Sequence, residues 1–166
     1  PSLFLKHQRQ PREGITIGWV AAAEHRPDAK RLSIRSILQG VLEERPGVRV
    51  TTVGVDLGLP TDRYEYIRRV WLLQPHVLQD PGSSKTIGYR FKTPGGLANV
   101  TAGFDIGIAP ISDTPFNRAR SNVKLKEYAA GGTPWLASPV GPYVGMGEKQ
   151  GGRLVADEDW HRELLR

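Results

Sequence analysis

The sequence contains no cysteine, a single methionine and no long apolar run. A chain without cysteine has no disulfide, no thiolate metal ligand and no cysteine nucleophile, and it suits a reducing cytosol. No apolar stretch approaches the roughly 18 residues that a membrane-spanning helix requires. The first 13 residues hold only a short apolar patch among basic residues, which is not a signal peptide. We therefore expect a cytoplasmic protein whose residues 1–13 form an N-terminal linker segment.

The remaining composition is that of an ordinary globular protein. Of 166 residues, 39% are hydrophobic and 24% are charged, which favours one domain with a proper core over residues 14–166. The net charge of +6 indicates an anionic partner, such as a phosphorylated ligand, nucleic acid or a membrane surface. A soluble basic surface explains the same charge equally well. Because the basic residues are spread along the chain, we expect no nucleic acid partner, whereas peripheral membrane association stays open.

Strand and helix patterns alternate at both ends of the chain. Residues 15–21 and 48–54 are apolar and β-branched, as in buried strands, and apolar residues at helical spacing separate them until Pro46 and Gly47. Further along, the patterns predict strands at 66–72, 86–91, 104–109, 134–138 and 153–155, of which the one at 86–91 is short. They predict helices at 97–102, near 121–130 and at 160–165, the last capped by Asp157 or Asp159. This alternation predicts a single α/β domain, a Rossmann-like doubly wound parallel sheet.

In such a sheet the ligand lies beyond the carboxyl ends of the strands. Three predicted loops emerge there, at 22–28, 112–122 and 138–147. The first is predicted to be a polar turn over residues 24–28, and the second to be a loop over 112–117. These loops therefore hold the candidate ligand-binding residues.

Basic residues surround the start of the helix predicted near residue 121. Asn117, Arg118 and Arg120 precede it, and Lys124 lies one turn inside. A helix start offers unpaired amides and a partial positive charge, and arginine adds bidentate contacts to phosphate. We predict a phosphate site here; the alternative is a solvated basic helix face. Glu127 follows Lys124 by three residues, so it either forms a salt bridge along the helix or accepts hydrogen bonds from ribose hydroxyls.

Other candidate sites have weaker support. Glu24, His25 and Asp28 follow the first strand, and the preferred interpretation is a surface ion pair instead of a site. The other histidines are too far apart in sequence to predict zinc binding, so no metal is expected. The chain lacks a phosphate-binding P-loop, a dinucleotide fingerprint and a Gly-x-Ser-x-Gly elbow. Three tryptophans fall in apolar strands and are predicted to be core residues instead of an RNA-stacking platform: Trp19, Trp71 and Trp135.

One stretch resembles a known family. Residues 104–138 read FDIGIAPISDTPFNRARSNVKLKEYAAGGTPWLAS, with a DIGIAP strand, a Lys-x-x-Glu-Tyr-Ala-Ala helix and a Gly-x-Pro turn. This stretch resembles the C-terminal domain of GT-B glycosyltransferases of the large group 1 family. The segments ITIGWV, GPY and GGRLV continue the likeness, which spans roughly residues 14–165. The resemblance implies that this chain is the C-terminal half of a GT-B fold.

The resemblance also implies roles for individual residues. The domain would bind a nucleotide diphosphate sugar, with Glu127 on the ribose and the start of its helix on the diphosphate. Arg118 and Lys124 would act as catalytic cations that stabilise the departing diphosphate, without metal or cofactor. The implied donor-binding residues are Gly18, Ala22, Asn117, Ser121, Asn122, Val123 and Glu127. Many members carry a further glutamate eight positions before the ribose-binding one, and this chain has Ala119 there.

In that family an N-terminal acceptor domain completes the catalytic cleft. A chain of this length has no room for it, so we expect a fragment or a stand-alone relic that binds donor and transfers nothing alone. Two alternatives stay open: a non-catalytic nucleotide-binding or partner-docking module, and a basic nucleic-acid binder with steep salt dependence. The sequence does not define the base, the sugar or the acceptor. The analogy weakly favours retention at the anomeric centre.

Overall fold

The computed structural model of the chain describes residues 13–68 and 96–166. Its strands are β1 (Ile15–Val20), β2 (Val48–Val53), β3 (Tyr64–Ile67), β4 (Ile106–Ala109), β5 (Trp135–Ala137) and β6 (Gly152–Leu154). They form one sheet of six strands in the order β3-β2-β1-β4-β5-β6, and every pairing is parallel. This is the strand order of the dinucleotide-binding Rossmann fold. The predicted Rossmann-like parallel sheet is confirmed.

Helices cover both faces of this sheet. They are α1 (Arg26–Arg31), α2 (Ile34–Glu44), α3 (Gly96–Thr101), α4 (Pro115–Arg118), α5 (Val123–Ala130) and α6 (Trp160–Leu165). Helices α2 and α6 pack on one face, where their apolar residues join a cluster with those of β1 and β2. Residues of α3 and α5 join a second cluster with those of β4 and β5. The sheet is therefore doubly wound, as predicted.

Strand β1 shows how the sequence builds both faces. Successive side chains of a strand point to opposite faces, so Ile17 and Trp19 enter the cluster with α2, whereas Val20 enters the cluster with α5. Gly18 lies between them on the second face, and the Phe104 ring packs onto it. A Cβ atom at Gly18 would lie 2.0 Å from that ring. Glycine is therefore required here by packing.

Two segments predicted to be irregular are partly helical. The polar turn expected at 24–28 is a 3-10 turn (Ala23–His25) followed by α1, because Pro27 lies in the first turn, where its fixed φ favours a helix. The loop expected at 112–117 contains α4. Its N-cap Thr114 accepts a hydrogen bond from the Asn117 amide at 3.1 Å, and Pro115 is in the first turn. Both predictions were wrong because proline and polar residues also start helices.

Other boundaries differ by a few residues. Strand β3 begins at Tyr64, two residues before the predicted start, and α5 begins at Val123 instead of near residue 121. Helix α6 follows Asp159, but no side-chain hydrogen bond caps it, because Asp159 pairs with Arg162 at 2.8 Å. The predicted strand at 86–91, Trp71 and the linker before residue 13 lie outside the described residues. Among the described residues, no helix is long and apolar enough to cross a membrane.

Candidate functional site

The side chain of Tyr128 joins the carboxyl ends of β1 and β4. Its hydroxyl accepts a hydrogen bond from the Val20 amide at 3.1 Å and donates one to the Ile108 carbonyl at 3.2 Å. Burial raises the pKa of Tyr128, so its hydroxyl stays protonated and can donate. Strand order reverses between these two strands, and in α/β sheets this is where a ligand crevice opens.

A buried carboxylate, Asp28 of α1, gathers groups from the loops that follow β1 and β4. Its Oδ1 accepts hydrogen bonds from the Ser112 amide at 3.0 Å, from the Ser112 hydroxyl and from Asn117 Nδ2 at 2.8 Å. Its Oδ2 faces His25 Nδ1 at 3.1 Å. All four side chains are buried. The network therefore fixes the first two predicted loops to each other.

The network keeps Asp28 ionised. Burial alone would raise the pKa of this carboxyl group, but the hydrogen bonds from Ser112, Asn117 and His25 outweigh that effect and lower it. Hydrogen bonds to an ionised group are stronger than neutral ones, so Asp28 connects these loops firmly. The third loop is attached nearby, because Ser138 Oγ accepts a hydrogen bond from the Ile111 amide at 3.0 Å.

On its other side, His25 faces the amine of Lys124. The His25 Nε2 atom lies 3.2 Å from Lys124 Nζ. Burial, together with the positive charges of Lys124 and Arg120, lowers the pKa of His25 to about 4 against the opposite effect of Asp28. Burial also lowers the pKa of Lys124 to about 7, with Arg120 acting in the same direction. His25 is therefore neutral at pH 7, and Lys124 titrates near neutrality.

Arg120 is the second cation of this cluster. Its guanidinium group forms a salt bridge with Glu24 at 3.2 Å and lies 5.3 Å from the centre of the Phe116 ring. It also acts electrostatically on Tyr143, a buried residue of the loop after β5, whose pKa burial raises to about 12. Side chains from all three predicted loops thus meet at the same end of the sheet.

Helix α5 begins beside these cations. Its N-cap is Asn122, whose side chain does not cap the helix. Ser121 and Val123 are exposed on either side of it, and Val123 retains 53% of its accessible surface. An uncapped helix start that faces two cations is suited to an anion, because its amides and its dipole both favour negative charge.

The other predicted residues lie in several different environments. Ala22 lies two residues after the end of β1, and its carbonyl accepts a hydrogen bond from the His25 amide at 3.0 Å. Glu127 is half-buried on α5 and acts electrostatically on Lys124. Gly18 is buried in the sheet beneath Phe104, so the structure does not bring it to the cluster. The donor-binding roles of these residues stay predictions.

Arg118 is separate from this cluster. Its guanidinium group binds the carboxylate of Asp113 through two hydrogen bonds, of 2.6 and 2.7 Å, and its side chain is 62% exposed. Its backbone packs against Gly141, where an added Cβ would lie 2.6 Å from the Arg118 Cα. The structure therefore brings Arg120, and not Arg118, together with Lys124. The predicted catalytic role of Arg118 stays a prediction.

His25 and Asp28 do pair, at 3.1 Å, but the interpretation that this pair lies at the surface was wrong. Both side chains are buried, with 1% and 3% of their surface exposed, and only Glu24 lies at the surface. The spacing of three between His25 and Asp28 was an available signal, because it places the two side chains on one helical face. The role of Ser112 had no such signal, since its partner Asp28 lies 84 residues earlier. Across residues 13–68 and 96–166, no cluster of three or more His, Asp or Glu side chains is arranged to hold a metal ion.

Comparison with known proteins gives structural matches only. No protein-family model and no curated protein sequence matches the chain. The C-terminal domain of LpcC, a group 1 glycosyltransferase from Francisella tularensis, is 12% identical with a TM-score of 0.57, over 92% of this chain and 74% of that domain. WaaG, a glycosyltransferase of lipopolysaccharide biosynthesis, is 15% identical with a TM-score of 0.57, over 93% of this chain. HepE from Anabaena, solved with UDP-glucose, is 14% identical with a TM-score of 0.56, over 91% of this chain.

These matches define what the chain is similar to. The chain spans 38% of the length of WaaG and 38% of that of HepE, so it corresponds to one part of each. At such low identity the likeness shows the fold. The chain therefore has the fold of the C-terminal domain of GT-B glycosyltransferases of the group 1 kind.

Proposed function

We propose that this chain is the donor-binding domain of a glycosyltransferase that transfers a sugar from a nucleotide diphosphate sugar. The observation that carries the proposal is the meeting of Lys124, Arg120 and the uncapped start of α5 at the carboxyl ends of β1 and β4. HepE binds UDP-glucose on the same fold, which supports a donor of this class.

A diphosphate would relieve an electrostatic conflict in the crevice. Lys124 and Arg120 repel each other, and both lie near a helix start whose dipole also opposes positive charge. An anion at this position would neutralise both cations and accept hydrogen bonds from the free amides of α5. Each helix–anion interaction contributes roughly 0.3–1 kcal/mol when exposed and up to about 2 kcal/mol when partly buried.

Two residues would complete the donor site. Glu127 lies one turn after Lys124 on α5, where its carboxylate would accept hydrogen bonds from the ribose hydroxyls. Arg118 would contribute to the diphosphate after leaving Asp113, at small cost, because an exposed ion pair is screened by solvent and contributes little to stability. We propose that transfer also requires an N-terminal acceptor domain, and that the protein is cytoplasmic.

Thermal unfolding against a panel of nucleotides and nucleotide sugars tests this proposal. Ligand at 100 times its dissociation constant adds about 2.7 kcal/mol of stability. For a chain of this size the midpoint should rise by roughly 5–10 °C, and the panel identifies the base. The rise should disappear in Lys124→Met and persist in Lys126→Met, because Lys126 is an exposed lysine of the same helix. If no nucleotide raises the midpoint of the wild-type chain, the proposal fails.

A second candidate is a non-catalytic nucleotide-binding or partner-docking module. The observation that favours it is Ala119, which has no carboxylate at the position where the family resemblance places a second glutamate. This candidate predicts the same nucleotide binding without sugar transfer. Assay of the domain joined to its acceptor domain separates the two, because only a glycosyltransferase would release nucleoside diphosphate in an acceptor-dependent manner.

A further inference from the structure

Asp28, His25 and Lys124 lie in contact in that order, and the positions of their shared protons follow from the geometry. The ionised carboxylate of Asp28 can only accept, so the His25 Nδ1 atom that faces it at 3.1 Å must carry the proton. The Nε2 atom of the neutral ring then has a free lone pair. This lone pair faces Lys124 Nζ at 3.2 Å and accepts a hydrogen bond from the lysine. Asp28 thus sets the tautomer of His25, and His25 sets the position of the lysine amine.

Charged groups of both signs surround Lys124. Glu24, from the turn after β1, and Asp28, from α1, attract its positive charge, as does Glu127 on its own helix, whereas Arg120 repels it. Desolvation and Arg120 outweigh the carboxylates and lower the pKa of Lys124 to about 7. An ordinary lysine is fully charged at this pH. Both the amine and the ammonium form of Lys124 are therefore populated near neutrality.

We infer that His25, oriented by Asp28, is a positioning residue that holds the amine of Lys124 at the crevice so that it takes up one proton when a diphosphate enters. The inference rests on the proposed function, since the diphosphate supplies the negative charge that drives uptake. The amine and the ammonium both donate to His25 Nε2, so Lys124 gains a proton from solvent without moving. Near neutrality the site would then present a partly charged lysine without the ligand and a full cation with it.

The tautomer of His25 can be measured without any ligand. Nitrogen-15 NMR of the histidine-labelled chain at pH 7 distinguishes a ring protonated on Nδ1 from one protonated on Nε2. We expect a neutral ring with the proton on Nδ1. A proton on Nε2, or a charged ring, would overturn the inference, because Lys124 would then face a donor.

A substitution at Asp28 tests the coupling to Lys124. Asp28→Asn removes a negative charge and favours the other histidine tautomer, and both changes disfavour the ammonium form. NMR titration of labelled lysine side chains should therefore show the Lys124 midpoint about one pH unit lower than in the wild type. If Asp28 only supported the local structure, its loss would admit water and raise the titration midpoint of Lys124 toward that of an exposed lysine. Asp62→Asn, an exposed carboxylate in the β2–β3 loop, should leave the midpoint unchanged.

Proton uptake is measured by calorimetric titration with UDP-glucose at pH 8, in two buffers that differ in ionisation enthalpy. We expect close to one proton to be taken up per bound ligand, and none in Lys124→Arg, which is always charged. Binding without uptake by the wild type would overturn the inference. If neither UDP-glucose nor another nucleotide sugar binds but the tautomer and midpoints are as expected, the proposed function fails and the positioning role of His25 is supported.

Discussion

Replacement of Asp28 by asparagine should destabilise the chain more than the same change at any exposed aspartate. The carboxylate receives hydrogen bonds from Ser112, Asn117 and His25, and each bond to a charged group contributes about 1.5–3 kcal/mol. Asparagine keeps an oxygen toward Ser112 and Asn117, but it loses the charge and places an amide donor against His25. We therefore expect the free energy of unfolding to fall by about 2–4 kcal/mol, less than for complete removal of a buried partner.

Urea denaturation of the full chain, followed by circular dichroism, measures this change. In thermal unfolding, the midpoint should fall by about 4–16 °C. The matched control is Asp113→Asn, because Asp113 is 55% exposed and forms a surface salt bridge with Arg118. Such an exposed pair contributes little to stability, so the control should remain near the wild type. Equal losses in the two variants would refute the conclusion that the buried network connects the loops.

Three further predictions concern packing, strand pairing and pH. Gly18→Ala should lower the free energy of unfolding by about 1–3 kcal/mol in chemical denaturation, because the new methyl group meets the Phe104 ring. Gly47→Ala, with open space around the new Cβ, should lower it by under about 1 kcal/mol, and equal losses would contradict the role of packing at Gly18. Tyr128→Phe should lower the free energy of unfolding by about 1–3 kcal/mol, because it leaves buried backbone groups of β1 and β4 unpaired. An unchanged midpoint of urea denaturation would contradict this. Because the pKa of His25 is near 4 in the fold against 6.5 when unfolded, the unfolded chain binds more protons between these values, so His25 should lower the stability by up to about 3 kcal/mol as pH drops from 6.5 to 4. In urea denaturation His25→Gln should flatten the slope between pH 6.5 and 5, above the range in which the carboxyl groups titrate, and an unchanged slope there would contradict the assignment.

The sheet could be predicted from sequence because its signals are local. The buried pattern of β1 and the glycine and proline residues that end helices lie within short windows, and they predicted the doubly wound parallel sheet correctly. Helix α1 was missed because Pro27 next to polar residues indicates a turn as readily as a helix start. Only the packing of Ala29 and Asp28 into the fold decides between the two.

The candidate site could be predicted only in part, because its central contacts are distant in sequence. The helix start and the cations around it are visible as a motif, but which cation faces inward depends on tertiary partners. Asp113 binds Arg118 at the surface, while Glu24, from the other end of the sequence, draws Arg120 toward Lys124. Burial of His25 depends on the same long-range contacts. Pattern alone therefore could not show that Arg120, and not Arg118, lies beside Lys124.

The position at which a nucleoside diphosphate binds tests the proposed diphosphate site most directly. Two-dimensional amide NMR of the chain, titrated with UDP or with the nucleotide chosen by the melting panel, reports the affected residues. We predict saturable shifts at the amides of Val123 to Leu125, at Ala22 and at Ser112, lost in Lys124→Met and retained in Lys126→Met. Shifts confined to the amino ends of the strands, or no saturable shifts with any nucleoside diphosphate, would contradict the claim that this crevice binds a diphosphate.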